Sequence, residues 1–270
     1  MLELWNLSLY HPLVNTLVWL TVLTGNLGLA IIALTVFLRL VMTPLILPGL
    51  KLNKKIQELA PEVAELKAKY PNDKQALALA QAELYKSHGA NPAAGCLPQI
   101  IQILVLIALF NALNFLLKTN GSDLVSRLNP LLYSFNRLPD DFHLSTGFLY
   151  MELDKPDVLK LPGLPIPLPG LFLILSAVAQ LISAQMMLPS VSTAQKVAEK
   201  TPAAEDDAMV SAQKQMIYMF PVMTIVIGFS FPSGLVLYWF IFSLIAAVQQ
   251  YLVTGWGGLT PWLKKLQMVK

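Results

Sequence analysis

The stretch TVFLRLVMTP, Thr35–Pro44, sets one arginine inside an apolar run, and no other charged residue occurs between Leu27 and Pro48. An arginine at the centre of a membrane span costs about 2.5–3.5 kcal/mol on insertion scales. Such a residue is either the centre of a function or a structural charge that snorkels or bonds to buried carbonyls, so its surroundings decide the reading. The chain of 270 residues is 55% hydrophobic and only 13% charged, with mean hydropathy +0.58. Soluble domains carry about 25% charged residues. That deficit, together with the long apolar runs, puts the chain in a membrane. A formal charge of +3 gives no reason to expect a nucleic-acid partner. A single cysteine, Cys96, excludes an intramolecular disulfide framework, and three scattered histidines do not suggest a metal centre.

Working outward from Arg39, five segments are apolar and long enough to cross about 30 Å of hydrocarbon. They are 26–48, 98–118, 168–188, 214–230 and 234–255; Pro221 lies inside the fourth, and Pro232 with Gly234 separates the last two. Residues 1–25 read as an interfacial helix, with a sixth span over Leu4–Leu23 as the alternative, because the clean apolar stretch Leu13–Leu23 is short and broken by Asn15, Thr16 and Thr21. Trp5, Tyr10 and Trp19 suit the headgroup level, and Thr24-Gly25-Asn26 turns the chain into the first span. No basic residue precedes Arg39, whereas Lys51, Lys54 and Lys55 follow the first span. The N-terminus is therefore expected outside and the C-terminus in the cytoplasm. The connections are then a cytoplasmic segment 49–97, an extracytoplasmic loop 119–167, a cytoplasmic loop 189–213 and a cytoplasmic tail 256–270.

Segment 49–97 reads as a helical hairpin. Leu52, Ile56, Leu59, Val63, Leu66 and Tyr70 share one helical stripe, and Leu77 and Leu84 continue a stripe on the second helix. Pro71-Asn72-Asp73 supplies the turn and a cap, Gly89 a stop, and Pro61 a kink or break in the first helix.

Nothing in the spans looks catalytic: none of the five contains Asp, Glu or His, and no phosphate loop occurs anywhere. The expectation is a protein that is not an enzyme and needs no cofactor. Polar residues recur instead. Thr35, Arg39 and Thr43 lie on one face of the first span; Gln99, Gln102, Asn111 and Asn114 lie on the second. Ser176, Gln180, Ser183 and Gln185 lie on the third, and Ser233, Tyr238, Trp239, Ser243, Gln249 and Gln250 on the last. Singly, such residues glue helices together. As a set around an arginine that no span carboxylate neutralises, they suggest a water-filled groove within the membrane. Met216, Met219 and Met223 share a face of the fourth span, fitting either core packing or adaptable apolar contacts.

Several ordered motifs then resemble the YidC/Oxa/Alb membrane protein insertases. GNLGLAIIALTVFLRLVMTPL (25–45) is similar to the family's first core span. IQELAPEVAELKAKYPND (56–73) and ELYKSHGANPAAGCLPQIIQ (83–102) resemble its cytoplasmic hairpin and the entry to the second span. QKQMIYMFPVMT (213–224) and FPSGLVLYWFIFSLIAAVQQYL (231–252) resemble its last two spans. The resemblance implies an all-α polytopic membrane protein with five transmembrane helices around a hydrophilic groove, in the short form without the family's large periplasmic domain. It implies insertion and folding of integral membrane proteins, alone or with the Sec translocon, in a bacterial-type plasma membrane. Clients would be nascent proteins with short, often acidic N-terminal tails. The tail's three lysines give only a weak case for ribosome docking. By matched position, Arg39 is the groove arginine, with Thr35, Thr43, Gln102, Gln180, Gln185, Tyr238 and Trp239 as groove residues. The residues themselves leave two rivals open, an anion channel or transporter built on Arg39 and a purely structural assembly partner.

Overall fold

The computed structural model describes residues 2–71, 73–90, 96–119, 122–163, 165, 167–188 and 208–266. The loop 189–207, most of the NPAAGCLP motif and the side chains of Gln99 and Met216 lie outside the described residues. The chain is mainly helical. In order it forms α1 (Leu2–Trp5), α2 (His11–Thr24), α3 (Leu27–Glu58), α4 (Ala60–Lys69), α5 (Lys74–Ser87), α6 (Cys96–Lys118) and α7 (Ser122–Leu128). Then come α8 (Leu171–Met186), α9 (Ala208–Gly228), α10 (Ser233–Thr254) and α11 (Thr260–Lys265). Between α7 and α8 two small antiparallel hairpins appear, β1 (Gly147–Phe148) with β2 (Met151–Glu152) and β3 (Val158–Leu159) with β4 (Leu168–Pro169).

The N-terminal segment is more continuously helical than its short clean apolar stretch suggests. A π-turn at Asn6–Tyr10 joins α1 to α2, and Asn6–Thr24 is itself long and apolar enough to cross a membrane. The apparent interruptions cost the helix little, because each polar side chain bonds back one turn. Asn15 donates to the His11 carbonyl at 2.8 Å, Thr16 to Pro12 at 2.8 Å and Thr21 to Leu17 at 2.7 Å. Its stripe Leu13, Val14, Leu17 and Val18 is buried.

The five expected spans are not equal either. Four helices among the described residues are long and apolar enough to cross: Asn6–Thr24, Leu27–Glu58, Ile100–Lys118 and Ser233–Thr254. The expected third span begins late, at Leu171, since Leu168 and Pro169 pair in a strand; α8 has 16 residues, about 24 Å. The described apolar part of α9 is Tyr218–Gly228. By contrast α3 overshoots, running 32 residues through Pro44 and Pro48 before a break at Leu59, with Pro61 in the first turn of α4. Each internal proline removes one helix bond without ending the helix here. Between α4 and α5, Asp73 caps α5 by accepting from the Ala76 amide at 2.9 Å. Gly89, at φ +63°, lies just past the end of α5 in the left-handed region that glycine tolerates.

The chain divides into two compact units. The first comprises residues 1–41, 100–177 and 223–243 and holds a packed apolar core. Leu27, Ala30, Ile31 and Leu34 of α3 meet Leu109, Leu113 and Leu116 of α6, Leu128 at the end of α7, and Leu235 and Leu237 of α10. In lipid such packing is driven by close contact more than by escape from water. The second unit comprises residues 42–99, 178–222 and 244–270 and is joined differently. Gln57 donates to the carbonyls of Met186 and Met187, both at 3.0 Å, and so satisfies acceptors at the end of α8. Gly257 packs its Cα directly against the Met186 carbonyl at φ +45°, a fit that leaves no room for a side chain.

Candidate functional site

In the first unit, Arg39 sits on α3 with 6% of its surface exposed. Its guanidinium lies 3.8 Å from the centroid of the Phe242 ring, and one Nη donates to the Phe242 carbonyl at 3.5 Å. The sequence left Arg39 either water or buried carbonyls; the fold gives it an aromatic face and a main-chain carbonyl on α10. Cation–π contact of a desolvated guanidinium is worth about 2 kcal/mol, the same order as the insertion cost. A hydrogen bond at 3.5 Å is at the weak end of the range.

Phe242 is the residue the sequence reading missed. The available signal was the four-residue step from Tyr238 to Phe242, which puts both rings on one helical face. Their centroids are 5.7 Å apart. Tyr238 is 2% exposed, and its hydroxyl accepts a 2.7 Å bond from the Gln102 amide of α6. A buried phenol needs such a partner. Thr35 is buried one turn before Arg39 and turns its hydroxyl onto the Ile31 carbonyl at 2.6 Å. Trp239 departs from this group, packing edge-on to Phe231 with centroids 5.8 Å apart.

The other three expected residues belong to the second unit. Thr43 accepts a 2.9 Å bond from Gln249 of α10. Gln185, near the end of α8, donates to the Tyr218 hydroxyl of α9 at 2.8 Å. Gln180 is buried, 8% exposed. The fold therefore brings Arg39, Gln102 and Tyr238 into one cluster with Phe242, and gives Thr43 and Gln185 partners that the sequence did not assign. Among the described residues, no three His, Cys, Asp or Glu side chains gather as a metal site would require.

A helical, multi-pass membrane protein with one arginine buried on an aromatic face is the class that fold and site define. Residues 19–257 match the family described as 60Kd inner membrane protein. The chain belongs to this family, the YidC/Oxa/Alb family of the sequence motifs. It is 34% identical over 233 residues to a membrane protein insertase YidC of Fusobacterium nucleatum, covering 86% of this chain and 88% of that one. Proteins of the same name from Geobacter sulfurreducens and Pelobacter propionicus are 29% and 31% identical over 92% and 91% of this chain. The chain spans 38% of the length of each of those two longer relatives.

Proposed function

We propose that the protein is a membrane protein insertase of the bacterial plasma membrane, with Arg39 as the charge that receives a client's acidic tail. The observation that carries the reading is the buried arginine on Phe242, in a chain akin to insertases over most of its length. Moving a polar tail through intact bilayer strips its charges and backbone of water. A hydrated groove around Arg39, lined by Thr35, Gln102, Tyr238 and Trp239, would lower that barrier part-way across.

Arg39's contacts with Phe242 are of a kind a carboxylate exchanges readily. A guanidinium binds a carboxylate through two parallel bonds, stronger than one long bond to a neutral carbonyl. Low local dielectric strengthens the attraction further. With the N-terminus outside, a membrane potential positive outside favours outward transfer of an acidic tail by about 2.3 kcal/mol per charge per 100 mV. The client's apolar helix then partitions into lipid and completes the step. Neither a nucleotide nor a metal enters this scheme. Cooperation with the Sec translocon fits the family, while the ribosome remains a minor partner on this reading.

The test is insertion of single-span clients into proteoliposomes. Arg39→Ala is expected to reduce insertion of clients with acidic tails at least about tenfold more than of clients with neutral tails. Arg39→Lys, which keeps the charge, should retain most of the activity. Equal loss on both client types would overturn the electrostatic role. Saturable small-anion flux without client insertion would favour an anion channel or transporter instead.

A further inference from the structure

The β1–β2 hairpin ends in a two-residue turn, Leu149-Tyr150, that the insertion reading does not use. Leu149 lies at φ +53°, where turns of this kind prefer glycine, asparagine or aspartate, and its side chain is 78% exposed. A bulky apolar residue held in a sparsely populated conformation, with no burial to show for it, points to a use outside the fold.

The hairpin's anchors say where that tip stands. Asn26, which caps α3 through the Gly28 and Leu29 amides, also donates to the Gly147 carbonyl at 2.8 Å. Phe148 packs on Gly28 so closely that no Cβ would fit there. On the other side of the turn, the Tyr150 hydroxyl accepts from the Phe172 amide at 3.2 Å, and its ring stacks on Phe172 at 6.0 Å. The hydroxyl in turn donates at 2.8 Å to Asp157, whose other carboxylate oxygen accepts from the Leu173 amide at 2.8 Å. Ser233 and Gly234, at the start of α10, bond to the carbonyls of Lys155 and Leu153. The tip is thus fastened between the first residues of α3 and α8, with α10 starting beside the same segment.

The first residues of apolar spans mark the edge of the hydrocarbon, and their neighbours carry the signs of it. Leu23 at the end of α2, Leu29 in the first turn of α3 and Leu171 at the start of α8 are exposed at 65%, 46% and 52%. The acids beside the tip are engaged, Asp157 by the Tyr150 hydroxyl and the Leu173 amide and Glu152 in an ion pair with Lys155 at 2.6 Å. We infer that Leu149-Tyr150 is an interfacial anchor, with Leu149 inserted at the headgroup–acyl boundary of the bilayer and Tyr150 standing at headgroup level. Its occupant is lipid, because the tip continues the lipid-facing surface of the spans that hold it.

The experiment places an environment-sensitive fluorophore at Leu149→Cys, in a Cys96→Ser background, in vesicles of phosphatidylcholine and phosphatidylglycerol. A label at the exposed acid Asp141, in the same connection, serves as the aqueous control. Lipid bearing a nitroxide near the headgroup end of its acyl chain should quench the Leu149 label at least about twofold more than the control, with iodide showing the reverse order. Equal iodide quenching at both sites, with no extra quenching by the lipid nitroxide, overturns the anchor and leaves a water-facing tip. A measurement on the unaltered chain covers the case in which the labelled variant does not fold. Photoactivation of a lipid-borne diazirine should label the peptide 147–152 as it labels the first turn of α3. Labelling no higher than in the peptide 139–145 would overturn the proposal equally.

Discussion

The two units of this chain hold themselves together by different means. The first has an apolar core in which Val14, Leu17, Leu27 and Ile31 are fully buried. The second has few buried side chains; none is buried in α4 or α5, and single amide bonds such as Gln57 to Met186 and Gln249 to Thr43 join its elements. Apolar packing over many contacts makes a cooperative body, whereas isolated hydrogen bonds each contribute about 1 kcal/mol and open locally. The comparison assigns stability to the first unit and adaptability to the second.

Hydrogen exchange breaks or sharpens that contrast most directly. Amides of α4 and α5 should exchange at least roughly a hundredfold faster than those of α3 between Leu27 and Leu38. Equal protection would erase the distinction. Next in size, Leu17→Ala in the first core should cost about 3 kcal/mol in thermal unfolding in detergent, because its site is enclosed and refills poorly. Asp157→Ala follows at about 2 kcal/mol, since it leaves the buried Leu173 amide without its acceptor and frees the Tyr150 hydroxyl. Gln57→Ala should cost about 1 kcal/mol and leave exchange in the first unit unchanged.

The smallest effect is alkaline. Burial pushes the Tyr150 phenol up to about 12 from its ordinary 10.0. A pKa raised on folding contributes stability that is present below the unfolded value and lost as pH rises through the folded one. Stability should therefore fall between about pH 10 and 12, and Tyr150→Phe should flatten that part of the profile. An unchanged profile would remove Tyr150 from the account of this end of the first unit.

Much of the fold was legible because lipid imposes length and composition. Helices α3, α6 and α10 follow from their apolar runs, and Asp73 and Pro61 act where their chemistry requires. Counting polar residues favours an interfacial N-terminal segment over a span because it ignores Asn15, Thr16 and Thr21 bonding to their own helix. The short hairpins between α7 and α8 were not foreseen, since two-residue strands carry no periodicity. Arg39 stands out in the sequence, and Phe242 does not, because an aromatic in an apolar run looks like every other lipid-facing or packed ring.

The sequence by itself determined that this chain lives in a membrane and that Arg39 is the one charged residue between Leu27 and Pro48. Hydrophobic run lengths and the cost of a buried charge suffice for those statements. Only the tertiary structure decided what the arginine rests on, which amide reaches Tyr238, and which turn is fastened to the starts of α3 and α8. Those contacts join residues more than a hundred positions apart in several cases, and side-chain direction across packed helices is set by the packing.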